Sequence, residues 1–245
     1  LERSARIYDA WLRSYVLGLT KAGSPYAFHT IGSTVAVDAA AYAAVRGFPK
    51  RNAAEDFYLL NKLSKQGPII RSPAAPIALA ARLSDRVPFG TGRAMRDAHD
   101  GGENSLPLFY DPVLYQYLAA FLEAAESFIV RGGDFTGDLR AGCDERRLPS
   151  GPLLVACQSM EVDTALENAI NSARNDRRRR ASFHGWFDAF RTMKFIHTMR
   201  DGGIESDPWN IAARNLGELL ELKDDWTADD RQVLRSTLAA MAAPA

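Results

Sequence analysis

The sequence predicts an α+β chain, predominantly helical, with a mixed front half and an all-α remainder. Three observations point there. Apolar residues recur at helical spacing through most of the chain, beginning with Ile7, Trp11, Tyr15 and Leu19. Two β-prone runs, Phe28 to Val37 and Ile69-Ile70, occur only in the first third. Between Ser84 and Ser105 the composition shifts to Gly, Asp, Arg and Asn, which reads as a long functional loop or linker dividing residues 1–96 from residues 107–245. The 245 residues are 47% hydrophobic and 24% charged, so the chain is neither disordered nor fibrous and is long enough for two modest domains.

Taken in order, Arg3 to Ala22 forms an amphipathic helix, stopped by Gly23, Ser24 and Pro25. The first β-prone run follows, and Asp38 then caps an Ala-rich helix reaching Val45, closed near Gly47 and Pro49. A basic loop from Phe48 leads to a helix over Glu55 to Gln66, opened by acidic residues and ended by Gly67-Pro68. Beyond the glycine-rich break, helices are expected over Asp111 to Val130, Leu153 to Arg174, Phe183 to Met199, Ile211 to Leu222 and Ala228 to Ala242. The stretch from Arg131 to Gly151, punctuated by glycine, reads as loop.

Thirty basic and thirty acidic side chains cancel, which argues against a protein built around the field of a nucleic acid. The balance is local: residues 1–100 hold 14 basic against 8 acidic side chains, so an anionic ligand belongs at the front. Cys143 and Cys157 are too few for a disulfide framework or a Cys-based zinc site, and a reducing cytoplasm fits them. No transmembrane segment is expected, because Asp38 interrupts the Ala-rich run and Glu123 and Glu126 interrupt the later apolar one. The first residues, Leu1-Glu2-Arg3, enter a helical pattern without methionine or signal peptide, so an upstream portion is expected.

The run Gly32-Ser33-Thr34-Val35-Ala36-Val37 is followed by Val45-Arg46-Gly47-Phe48-Pro49. Next comes Ala54-Glu55-Asp56-Phe57-Tyr58-Leu59-Leu60-Asn61-Lys62-Leu63, closed by Gly67. In that order these segments resemble the second half of the family 2 glycosyltransferases, over about residues 1 to 95. The resemblance implies a partial GT-A-like acceptor half at residues 1–96, followed by an all-α domain at 107–245. It implies an inverting transfer of sugar from a nucleotide-sugar donor to an acceptor hydroxyl, with Asp56 as general base and Glu55 before it. Gly32 and Ser33 would line the acceptor side, with His29 just ahead of them. The Gln-x-x-Arg-Trp motif of the processive members is absent, which argues against a cellulose- or chitin-type polymerase.

The chemistry suits the residue type. A carboxylate within reach of the acceptor hydroxyl takes its proton as the new bond forms, and a helix N-terminus favours negative charge there. Capping the helix is the other use of the same pair. Downstream, Arg82 and Arg86 precede Gly90-Thr91-Gly92, a combination that suits a diphosphate or forms a solvated basic loop.

The family's donor half is not in the sequence. No Asp-x-Asp occurs, and its nearest relatives, Glu161-Val162-Asp163 and Glu205-Ser206-Asp207, fit a solvated helix face and a loop. A divalent cation, Mg or Mn, is therefore expected only with a missing N-terminal half, and the isolated chain is expected to be inactive. His99, His184 and His197 lack metal-ligand spacing, so no metal is expected here. Arg177 to Arg180, beside Asp176, suits phosphate, an acidic partner or a solvated helix end. A non-catalytic helical binding or scaffold module is the alternative for the whole chain. The expected location is the cytoplasm, which the resemblance places near the inner face of a membrane; nucleic acid is not expected as a partner, and the oligomeric state stays open.

Overall fold

The computed structural model describes residues 1–70, 77, 80–84 and 90–204. Ten α-helices occur among them: α1 (Glu2–Lys21), α2 (Ala39–Ala44), α3 (Glu55–Leu63), α4 (Thr91–Gly101), α5 (Val113–Arg131), α6 (Phe135–Glu145), α7 (Ser150–Ser159), α8 (Val162–Ser172), α9 (Asp176–Trp186) and α10 (Ala189–Asp201). No strand occurs among the described residues, so the fold is all-α and the expected α+β class with a GT-A-like half is overturned. The expected helices over Ile211 to Leu222 and Ala228 to Ala242 lie outside the described residues.

The β-prone runs explain the error. Ile31 and Val35 do have extended backbones, at φ −106° and −97°, but a 3₁₀ turn over Gly32–Thr34 bends the chain between them. Extended residues become a strand only when a neighbour completes the ladder of N–H and C=O groups. Among the described residues none of Phe28 to Val37 has such a neighbour, and neither does Ile69-Ile70. Side-chain preference supplied half of what a sheet needs.

Two expected loops are helices instead. In α4, Ala94, Met95 and Ala98 are buried against Ile7, Tyr8 and Leu17 of α1, and Gly90 and Gly102 bracket the helix at positive φ. Packing of that small apolar face outweighs the glycine-rich composition. Helix α6 buries Phe135, Leu139 and Cys143, a repeat of four that the surrounding glycines obscured. Conversely, two long expected helices are each divided. Glu161, with φ 57°, separates α7 from α8, and Asp188 separates α9 from α10 by accepting the backbone N–H groups of Phe190 and Arg191.

Helix α5 organises the body. Its buried residues, from Leu114 to Ile129, cover most of its circumference, with Gln116, Glu123 and Val130 on the exposed remainder, and α1, α6, α8, α9 and α10 pack on it. Phe121 sits at the centre, with the rings of Phe187 and Phe195 at 4.8 and 5.2 Å between centroids. By length and composition α5 is also apolar enough to cross a membrane, and 56% of its most apolar window is buried against the rest of the chain. A smaller front lobe holds Val45, Leu59, Leu60 and Leu63, with Phe28, Val35 and Val37 leaning on them. In that lobe Asp38 accepts the N–H of Ala41 and caps α2, as its sequence position suggests.

A polar junction fastens the lobe to the body. Asn61, buried in α3, donates to the Asp188 carboxylate at 3.0 Å and accepts the N–H of Ala189, also at 3.0 Å. Lys65 reaches the same carboxylate at 2.8 Å and donates to the carbonyl of Gly185. Tyr26 adds a hydrogen bond to the carbonyl of His184. Burial pushes the Asp188 carboxyl up, but the hydrogen bonds from Lys65, Asn61 and the Arg191 N–H, with the Lys65 charge, outweigh that and leave it below its ordinary value.

Two outcomes follow from this packing. A methyl group on Gly18 would overlap the buried Tyr115 ring, so Gly18→Ala loses about 1–3 kcal/mol of stability in urea unfolding, although alanine ordinarily favours a helix interior. A depressed carboxyl contributes stability that is present above its unfolded value, near pH 4, and is lost as pH falls through the folded one. The urea midpoint of the wild type should therefore exceed that of Asp188→Asn at pH 7, with the gap narrowing below about pH 4.

Candidate functional site

Asp56 lies in the first turn of α3, half-buried, with each carboxylate oxygen engaged by a backbone donor. The N–H of Gly32 donates to Oδ2 at 3.0 Å, and the N–H of Phe57 donates to Oδ1 at 2.7 Å. The approach to Gly32 is close: a Cβ there would lie 3.0 Å from the Asp56 Cβ and Oδ2. Thus the 3₁₀ turn bearing Gly32 and Ser33 and the helix bearing Glu55 and Asp56 meet, with no strand among the described residues behind them.

The start of α3 is unusual for a helix. Its N-cap is Ala54, a residue with φ 58° that supplies no side-chain cap. A non-glycine residue in the left-handed region costs about 1–2 kcal/mol, so the surrounding contacts must hold it there. Asp56 contributes by tying the helix to Gly32. Beside it, the exposed Arg51 guanidinium stacks 3.9 Å from the centre of the Tyr58 ring.

A third segment comes from the far side of the front half. Gly90, at φ 91°, precedes α4, and the side chain of Thr91 hydrogen-bonds the phenol of Tyr8 on α1. Burial pushes that phenol above its ordinary value, the Thr91 hydrogen bond acts against the shift, and the charge of Asp56 adds to it. Ser84 packs against Gly92, where a Cβ would approach the Ser84 Cβ at 2.6 Å, so the chain just after Arg82 runs beside the start of α4.

The remaining expected residues divide. Ser33 is exposed on its turn, His29 is half-buried just before it, and Arg82 is exposed. Arg86 lies outside the described residues. The Gly90-Thr91-Gly92 stretch was expected as a loop presenting N–H groups to a diphosphate; it begins α4 instead, and the carbonyl of Gly90 already accepts from Ala94. Among the described residues no three His, Cys, Asp or Glu side chains converge. The donor set around Asp56 consists of one carboxylate satisfied by N–H groups, which does not fit a divalent cation, and no step is routed through one here.

Tyr8 was not marked by the sequence. It adjoins Ile7 in the apolar stripe of α1 and reads there as packing, and only the docking of α4 on α1 brings a hydroxyl to it. Asn61, Lys65 and Asp188 were equally silent, being separated by more than a hundred residues.

Six of the eight tyrosines, Tyr8, Tyr15, Tyr26, Tyr110, Tyr115 and Tyr117, are pushed up, chiefly by burial. A raised phenol contributes stability that is complete below its unfolded value near 10 and is lost as pH climbs through the folded one. An ultraviolet titration should show these phenols ionising late and together with loss of helical circular dichroism. Tyr8→Phe should reduce the late amplitude by one phenol.

Comparison with protein-family models, with curated proteins and with solved structures finds no match to this chain.

Proposed function

We propose that the chain contributes the acceptor side of an inverting sugar transfer, with Asp56 as the general base. One observation carries the proposal: two separate segments, the turn bearing Gly32 and the first turn of α3, meet at the Asp56 carboxylate, which two backbone N–H groups fix. Each oxygen accepts one of those donors and keeps a further acceptor position for a substrate hydroxyl. In the transfer, Asp56 takes the proton of the acceptor hydroxyl as its oxygen bonds to the anomeric carbon. The bond from that carbon to the nucleoside diphosphate breaks, and the diphosphate leaves with the electron pair. Glu55 stands next to the base, and the exposed Arg82 is the cation assigned to the departing group. Binding of the nucleotide-sugar donor, and of any Mg or Mn with it, belongs to a part of the protein outside this chain.

A second reading is a non-catalytic helical binding or scaffold module, in which Asp56 serves as a clip between Gly32 and α3. It is favoured by the engagement of both carboxylate oxygens.

The two readings separate on Asp56→Asn in the whole gene product, assayed as nucleoside diphosphate released from a panel of UDP-, GDP- and dTDP-sugars. If Asp56 is the base, release falls by about 10²–10⁴-fold, while stability drops by only about 1–3 kcal/mol for the N–H group left facing an amide. Unchanged release from the variant, or unfolding alone, favours the clip.

A further inference from the structure

A concentration of arginine lies at one end of the body, far along the chain from Asp56. Helix α9 runs antiparallel to α5. Arg180 donates to Glu126 at 2.6 Å, and further along α9 the Phe183 ring lies 6.1 Å from Phe121. One turn before Arg180, Arg177 therefore lies towards the C-terminal end of α5, where Val130 and Arg131 are. The carbonyl of Ala173 accepts from the Arg179 side chain at 2.9 Å, which holds the turn between α8 and α9, with Arg174, at the same end.

Two arginines of the run are occupied within the protein. Arg180 pairs with Glu126, and Arg179 approaches Asp176 at 3.6 Å. Arg174, Arg177 and Arg178 are exposed and make no ion pair among the described residues. Arg131 is exposed as well, with Ser127 as its hydrogen-bond partner, and Val130 beside it is 40% exposed. The loop after α5 contributes one exposed acid, Asp134. Helix stability does not account for this arrangement, because positive side chains in a first turn oppose the helix dipole.

The charge is directional. Residues 111–204 carry twelve basic and thirteen acidic side chains, so a near-neutral body presents a cationic end. That geometry suits a flat anionic sheet met end-on better than a duplex, which draws on a basic groove or stripe. None of the five residues is aromatic, so the end offers no ring for stacking on bases, whereas an exposed valine among guanidinium groups suits shallow contact with acyl chains.

We propose that this end, formed by Val130, Arg131, Arg174, Arg177 and Arg178, docks the protein on a membrane surface rich in anionic lipid. The attraction is between guanidinium groups and lipid phosphates, screened by salt, and the contact is peripheral. It is independent of any transfer chemistry at Asp56.

Vesicle sedimentation tests it with the 245-residue chain, using phosphatidylcholine alone and phosphatidylcholine with one-third phosphatidylglycerol. The protein should sediment only with the anionic vesicles and be released as salt is raised to ~1 M. Arg177→Gln with Arg178→Gln should weaken partitioning by about 25-fold, roughly fivefold for each charge removed, with an unchanged circular dichroism spectrum. Should that pair fail to fold, Arg131→Gln with Arg174→Gln should give the same loss. No sedimentation with anionic vesicles overturns the proposal. So does undiminished binding by a folded variant, or tighter binding to duplex DNA than to vesicles at the same salt.

Discussion

Helix α5 buries most of its circumference, leaving a stripe of Gln116, Glu123 and Val130 exposed, and the body is arranged around that constraint. Leu114, Leu118, Phe121, Ala125 and Ile129 follow one another along it, yet Tyr117, Ala120 and Ala124 are buried too, so no single neighbour suffices. Five helices surround it. Their order follows from short connections: α6 returns along α5, α7 leads from α6 to α8, and α9 and α10 close another side with Phe183, Phe187 and Phe195 around Phe121. The divided helices are part of the same solution. Breaks at Glu161 and Asp188 turn the chain where the sequence pattern would have run on, so that α8 and α10 each fold back onto α5.

The front lobe is held differently. Its apolar cluster is small, so its placement depends on polar contacts that bridge distant sequence, chiefly Asn61 and Lys65 with Asp188. A buried asparagine in such a place must find partners for both ends of its amide. Asp188 and the N–H of Ala189 supply them, and the same Asp188 caps α10. The lobe's position is thereby tied to the break between α9 and α10, and Asp56, a turn earlier on α3 than Asn61, inherits that anchoring.

Around Asp56 the sequence was legible in parts. The acidic opening of α3 and its end near Leu63 follow from residue type and order, whereas the approach of Gly32 to Asp56 depends on how the turn packs. The missing sheet was not foreseeable from the β-prone runs, because Ile31, Val35 and Ile69 set backbone preference without supplying a neighbour. Arg82 and Gly90 were expected to frame an anion-binding loop, and packing on α1 made part of that stretch a helix instead.

By itself the sequence determined where helical spacing and capping are strong. It located α1, α2, α3 and α5, the Asp38 cap, and the concentration of arginine after Asn175, since these depend on residues within a turn or two of one another. Only the tertiary structure decided what depends on a distant partner. Extended segments without ladder partners stay out of any sheet, small apolar faces make α4 and α6 worth forming despite their glycines, and Asp188 breaks a helical run because Asn61 and Lys65 are there to meet it. Local preference is weak, about a kilocalorie per residue or less, and burial against a specific neighbour outweighs it.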